Sequence, residues 1–314
     1  MRILVFGLGA IGTVFATSLK ASGHEVFGLT KEKYIAKIKN NLLKIYGVFG
    51  QKQAKLDGIF TDIQHIKSYP IDLVIVCVKA YDTELVINQL KSILTQNTVV
   101  LLAQNGYGNY EIASSLIGKE RVILSRIIFG AKTIEIGVAE VTVFADDIVI
   151  GQPDNAISEE KLKEIDNAFN KAGLPTRVSK DVYAILWDKI IYNSALNPLG
   201  AILECTYGVL ADNEETRLIM NKIIEEIFYT TKAKGIKLNW TDYKEYLSYF
   251  YENLLPPTVK HFPSMYYDIK QGKKTEIDAL NGAIVRLANE CNLSVPVNKI
   301  ITNFIRVKEN LIKK

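Results

Sequence analysis

An α/β domain built on a parallel sheet, followed by an all-α domain, is the fold class that the sequence predicts. From Met1 to about Lys180, short β-branched runs alternate with helical patterns, and from about Asp181 onward long helical periodicities leave few strand candidates. The length agrees: 314 residues exceed the roughly 100 to 200 of a typical domain. The chain therefore reads as residues 1–180, a dinucleotide-binding α/β domain, and residues 181–314, a helical domain expected to hold substrate and catalytic groups.

In order, Arg2 to Phe6 reads as a strand, Ala10 to Ser22 as a helix and Glu25 to Leu29 as a second strand. Asp72 to Val78, Val99 to Leu102 and Val122 to Leu124 are further strands, short and β-branched enough to be buried on both faces. Alternation over Ile134 to Ile150 predicts antiparallel strands added at the end of the sheet, before a helix over Glu159 to Lys171 and a short strand after Pro175. The second half predicts helices over Val182 to Leu196, Glu214 to Lys234, Glu276 to Cys291 and Val297 to Leu311. Asn197-Pro198, Gly235, Pro256-Pro257, Pro263 and Gly272 punctuate them.

Composition excludes several classes. With 48% hydrophobic and 23% charged residues, the chain has ordinary globular usage. Lys and Arg (38) barely outnumber Asp and Glu (34), and the +4 balance is spread along the chain apart from lysine-bearing ends such as Lys313 and Lys314, so no nucleic-acid-binding stripe is indicated. Cys77, Cys205 and Cys291 are odd in number and far apart, which argues against a disulfide framework and fits a reducing interior such as the cytoplasm. The longest apolar runs are strand-sized, well short of the ~20 residues of a membrane helix. The apolar start, interrupted by Gly7, Gly9 and Gly12, reads as mature fold rather than a signal peptide. His24, His65 and His261 show no metal-ligand spacing, and Asp146-Asp147 and Glu159-Glu160 read as turn and cap residues.

Gly7-Leu8-Gly9-Ala10-Ile11-Gly12 follows the first strand and opens the first helix. In that context the first glycine permits the tight turn, the second admits a pyrophosphate to the backbone amides, and the third lets helix pack on strand. The second strand ends Leu29-Thr30-Lys31, offering a hydroxyl and a cation where an NAD site would place a carboxylate, so NADPH is expected over NADH. The other reading makes Lys31 one of three lysines, with Lys33 and Lys37, in a solvated loop.

Lys189, Asn193 and Asn197 recur every fourth residue on an otherwise apolar helix, which puts them on one face. A lysine above two amides suits a lined cleft in which an ammonium meets an oxygen gaining negative charge. An exposed stripe with a snorkelling lysine is the competing reading. A second polar group comprises Ser264 and Asp268, then Thr275, which can cap a helix starting at Glu276, where the dipole favours a carboxylate.

With these residues in view, the chain resembles the ketopantoate reductase (2-dehydropantoate 2-reductase) family from Met1 to about Glu309. Val78-Lys79-Ala80, Gln104-Asn105-Gly106, Trp187-Asp188-Lys189 with Asn193 and Asn197-Pro198, Pro263-Ser264-Met265, Thr275-Glu276-Ile277-Asp278 and Leu280-Asn281-Gly282 carry the likeness by their order and spacing. The resemblance implies a Rossmann-like NADPH domain joined to a helical domain similar to the C-terminal part of 6-phosphogluconate dehydrogenase, with a small 2-oxo acid substrate held in the cleft between them. It also implies Lys189 as general acid, and Asn193, Asn197, Ser264 and Asn105 as substrate ligands, with Asn105 also near the nicotinamide. Glu276 would lie between cofactor and substrate, and Lys79 and Ala131 beside the cofactor. Lys31 stands where the family often has an arginine for the 2′-phosphate. The implied reaction is reduction of ketopantoate to pantoate, a step of pantothenate and coenzyme A biosynthesis.

Two departures bear on substrate. Residues 140–147 read Glu-Val-Thr-Val-Phe-Ala-Asp-Asp where relatives often show Gly and His, and Tyr207 stands where some relatives carry a substrate-facing asparagine. Reduction of another 2-oxo acid and a non-catalytic NADPH sensor therefore stay open as alternatives, as does a homodimer through the helical domain.

Overall fold

The computed structural model describes residues 1–312, so that Lys313 and Lys314, the lysine-bearing end noted above, lie outside them. The chain folds into two compact units. The first comprises Met1–Gln104 and Asn109–Tyr183, the second Asn105–Gly108 and the chain from Ala184 on.

The first unit contains β1 (Arg2–Phe6), α1 (Ala10–Ala21), β2 (Glu25–Leu29), α2 (Glu32–Ile35), β3 (Leu42–Gly47), β4 (Lys52–Lys55), β5 (Gly58–Phe60) and β6 (Leu73–Val76). It continues with α3 (Thr83–Leu90), β7 (Val99–Leu102), α4 (Asn109–Ile117), β8 (Val122–Arg126), β9 (Phe129–Glu135), β10 (Val138–Phe144), β11 (Ile148–Gly151), α5 (Glu159–Lys171) and β12 (Thr176–Val178). Eight strands form one sheet in the order β12-β11-β8-β7-β6-β1-β2-β5. It is parallel except where β11 runs against β8. Strands β6 and β7, Leu-Val-Ile-Val and Val-Val-Leu-Leu, are buried at every position, as a sheet covered on both faces requires. The chain leaves β1 towards β2 on one side and returns as β6 on the other. This reversal of strand order is the switch point at which α/β sheets bind ligands, beyond the carboxyl ends of the strands.

The expected antiparallel extension of the main sheet over Ile134 to Ile150 is corrected by the structure. Only β11 joins that sheet; β9 and β10 pair with each other about a turn at Gly137 (φ +86°) and form a separate four-stranded sheet, β4-β3-β10-β9. Strands β3, β4 and β5 are not among the expected ones. Helix α1 packs against both sheets and is buried continuously from Gly12 to Leu19. Its Phe15 meets Phe129 (6.2 Å) and Phe169 (5.3 Å) between ring centroids, while Phe49 meets Phe129 and Phe144, so an aromatic cluster holds the second sheet in place.

The helices of the second part are α6 (Val182–Leu203), α7 (Tyr207–Asp212), α8 (Glu214–Ala233), α9 (Tyr243–Tyr249), α10 (Ser264–Lys270), α11 (Asn281–Glu290) and α12 (Pro296–Leu311). Asn213 starts α8 by accepting from Thr216 N (3.2 Å), and Asp242 starts α9 by accepting from Lys244 N (2.8 Å).

Two helix ends differ from expectation. Helix α6 runs through Asn197-Pro198 to Leu203. A proline inside a helix leaves the carbonyl four residues earlier without its donor, and here Asn281 Nδ2 donates to that carbonyl, Ser194 O, at 3.0 Å. The Glu276 helix is instead a short 3₁₀ turn, Ile277–Ala279, before α11 begins at Asn281. Thr275 Oγ1 accepts from Ile277 N (3.2 Å) at its start. No helix among the described residues is long and apolar enough to cross a membrane.

Candidate active site

Within the first unit, the turn Gly7 to Gly12 joins β1 to α1. Gly7 adopts φ +101°, and a Cβ at Gly12 would lie 1.9 Å from Gly7 O, so both positions demand glycine. At Gly9, the residue before the helix, a Cβ would meet nothing within 4 Å, and no side chain caps the helix. The first turn, Ala10, Ile11 and Gly12, carries no acidic residue. Exposed amides, a positive dipole end and room at Gly9 together fit a pyrophosphate. Leu8 is buried and anchors the turn.

Neighbouring strands bring further candidates to this turn. Val76 pairs with Phe6, and Val78 Cγ1 sits 3.0 Å from the Cβ position of Gly7, so Lys79 emerges directly beside the glycine turn. Lys79 is half-buried, and its carbonyl accepts from Gln104 Nε2 (3.4 Å). At the end of β2, Thr30 is buried, with its amide donating to Phe60 O (2.9 Å), and Lys31 is exposed before α2. Ala131 lies on β9 opposite Val141, half-buried against the core of the second sheet. Beneath the turn, burial pushes the Cys77 thiol far above its usual range, leaving an inert packing group.

Within the second unit, Lys189, Asn105 and Glu276 form one chain of hydrogen bonds. Lys189 Nζ donates to Asn105 Oδ1 at 2.7 Å, and Asn105 Nδ2 donates to Glu276 Oε2 at 3.4 Å. The 105–108 segment is held there by its backbone. Tyr107 N donates to Ala279 O (2.8 Å), and Gly106, at φ +85°, approaches so closely that a Cβ would lie 2.5 Å from that oxygen. The Tyr107 ring packs on Trp187, two residues before Lys189 on α6, with centroids 5.4 Å apart.

Glu276 is fixed from behind. Glu309 on α12, buried, accepts from both Thr275 N (2.7 Å) and Thr275 Oγ1 (2.5 Å) through the same oxygen, which pins the residue before Glu276. This anchor was missed from sequence, since nothing local marks a contact between residues 34 positions apart.

Four and eight residues beyond Lys189, Asn193 is half-buried and Asn197 buried, with Asn197 Oδ1 accepting from Tyr207 Oη at 2.6 Å. Ser264, exposed, is the first residue of α10. It follows Pro263, whose Cγ lies 2.8 Å from the Cβ position of Gly200, three residues along α6 from Asn197. A larger residue at 200 would push Ser264 away from the helix.

Comparison with known proteins places these arrangements in context. The family model described as ketopantoate reductase PanE/ApbA matches residues 3–155, and that described as ketopantoate reductase PanE/ApbA C terminal matches residues 181–309. A 2-dehydropantoate 2-reductase of Aquifex aeolicus (strain VF5) is 46% identical over 309 residues, covering 98% of this chain and 97% of that one. Among solved structures, a PanE/ApbA family ketopantoate reductase from Ralstonia eutropha JMP134 superposes with a TM-score of 0.87 at 27% identity, over 100% of both chains. D-mandelate dehydrogenase, solved with NADH and anilino(oxo)acetate, shares the fold with a TM-score of 0.88 at 24% identity, again over 100% of both chains.

Proposed function

The chain belongs to the ketopantoate reductase family, and on that premise we propose that it reduces 2-dehydropantoate to pantoate with NADPH, Lys189 acting as the general acid. The observation that carries this reading is the Lys189–Asn105–Glu276 chain, which holds an ammonium group in a defined, half-buried position rather than loose at a surface.

Gly7, Leu8, Gly9, Ala10, Ile11 and Gly12 would hold a reduced nicotinamide dinucleotide, whose chemistry there would be to supply a hydride to the C2 carbonyl carbon. The chain's own groups handle charge and position. As electron density builds on the C2 oxygen, the Lys189 ammonium compensates it and then transfers a proton, leaving the alcohol. Asn105, already bonded to Lys189, is placed to exchange that contact for one with substrate, and Glu276 keeps the Asn105 carboxamide oriented. Asn193, whose side chain makes no hydrogen bond to another described residue, has its side-chain polar atoms available for substrate, as does exposed Ser264. Lys31 and Thr30 would meet a 2′-phosphate, and Lys79 and Ala131 would border the nucleotide. The three thiols, none in a disulfide, support a reducing compartment such as the cytoplasm.

The test follows NADPH absorbance with purified protein and a panel of 2-oxo acids that includes ketopantoate, with NADH in parallel. Ketopantoate with NADPH should give the highest kcat/KM, and Lys189→Ala should lower kcat by roughly 10² to 10⁴ while leaving NADPH affinity in place. Parent-like turnover by that variant would overturn the assignment. Tyr207, whose hydroxyl is committed to Asn197, favours a second reading in which another 2-oxo acid is preferred, and the same panel decides it.

A further inference from the structure

Tyr207 opens α7 with its ring buried: it stands edge-on to Tyr192, with centroids 5.9 Å apart and planes at 86°, and packs on His261 at 5.4 Å. Its amide donates to His261 O (3.1 Å), so ring and backbone are both held. Burial pushes its phenol well above the ordinary range, which keeps the hydroxyl a neutral donor. The hydroxyl donates to Asn197 Oδ1 at 2.6 Å. The neighbouring phenol of Tyr192 is engaged with Thr258 Oγ1 at 2.6 Å.

A carboxamide has one acceptor end and one donor end, which a 180° flip interchanges. With Oδ1 accepting from Tyr207, a flip is disfavoured: the phenol oxygen could accept from Nδ2, but its own buried hydrogen would then have no acceptor among the described residues. Asn197 Nδ2 makes no hydrogen bond to another described residue, yet it is not among the buried polar atoms left without a partner. It therefore faces reachable space on the side of α6 that carries Asn193 and Lys189.

We infer that Tyr207 is a positioning residue that fixes Asn197 with its N–H groups towards the substrate, so that this end of the site accepts an oxygen acceptor, a carboxylate or carbonyl, and refuses a donor such as an ammonium. The inference rests on the reading that Asn197 holds substrate. Selectivity then comes from an orientation that is locked before substrate arrives, with no ordering of the amide left for binding.

Tyr207→Phe removes the hydroxyl and keeps the ring. Losing one oriented neutral hydrogen bond should raise KM for the oxo acid about tenfold, with kcat within about twofold, leave KM for NADPH unchanged and lower the melting temperature by no more than the loss of one buried hydrogen bond does. In an Asn197→Ala background the same substitution should add nothing, since the group it orients is gone. Asn197→Asp, which replaces the donors by an acceptor, should raise KM more than Asn197→Ala does. A Tyr207→Phe enzyme with parental KM, or one whose defect persists in the Asn197→Ala background, overturns the inference. If the parent turns over a different 2-oxo acid, the ketopantoate reading fails and the cycle is run on that acid. If it turns over none, both fall.

Discussion

Gly106 and Ala279 set the position of Asn105 through a single close approach. An alanine at 106 would have to hold φ near +85° and place its Cβ 2.5 Å from Ala279 O, so the 105–108 turn must move. Such strain costs roughly 1 to 3 kcal/mol. Gly106→Ala is expected to lower kcat strongly, by displacing Asn105 from Lys189, while NADPH affinity measured by fluorescence titration stays within about twofold of the parent because the glycine turn is untouched. At this scale the sequence was informative where spacing alone defines a face. Lys189, Asn193 and Asn197 share one because residues four apart on a helix must. It was silent on Glu309, whose oxygen grips Thr275 from another helix, and on the Tyr207 hydroxyl's choice of Asn197, since neither contact leaves a local pattern.

The elements most readily read were those with one period over their whole length. Strands β1, β2 and β7 have the expected limits, and α5 begins and ends where Ser158 and Gly173 mark it. Strands β3 and β4 were harder to read because they are half-exposed, with only Leu43 and Ile45 of β3 and Ala54 of β4 buried, and β5 because it spans only Gly58 to Phe60. Asn197-Pro198 was read as an end to α6 because proline removes a helical donor. The missing donor comes from Asn281, whose amide also donates to Asn298 Oδ1 (3.0 Å), while Asn298 Nδ2 donates to Glu226 Oε2 (2.8 Å). Glu226 in turn accepts from the Val297 and Asn298 amides at the start of α12. Two of the sequence motifs are thus halves of one device: Asn281 completes what Pro198 interrupts. Asn281→Ala should cost about 1 to 3 kcal/mol by orphaning a buried carbonyl, read as a lower melting temperature. With Pro198→Ala also present the loss should shrink, because residue 198 then has its own N–H.

Across the whole molecule, ionisation couples the fold to pH. Burial, assisted by positive charge that includes Lys171, holds the His24 imidazole below its ordinary value of 6.5. The folded state therefore resists a proton that the unfolded chain accepts, and stability falls as pH drops below that value. Burial pushes the carboxyls of Asp57 and Asp146 up, but Lys20 with the Val26 amide in one case, and Arg126 in the other, outweigh it and hold both below the usual range. Their contribution is present above the ordinary carboxylate pKa of about 3.9 and is lost as pH falls through the lowered folded values. Calorimetry from pH 8 downward should show melting temperature declining in two stages, the first reduced by His24→Gln and the second by Asp57→Asn. A profile unchanged in the histidine variant would refute the first assignment.

Helix α1 occupies two roles at once. On the proposed function its leading amides would form the anion cradle, while its remaining length is the beam on which both sheets rest. A dinucleotide that docked there would bind only the folded form of this unit, so on the proposed function a shortage of it would lower the unit's resistance to unfolding and to digestion.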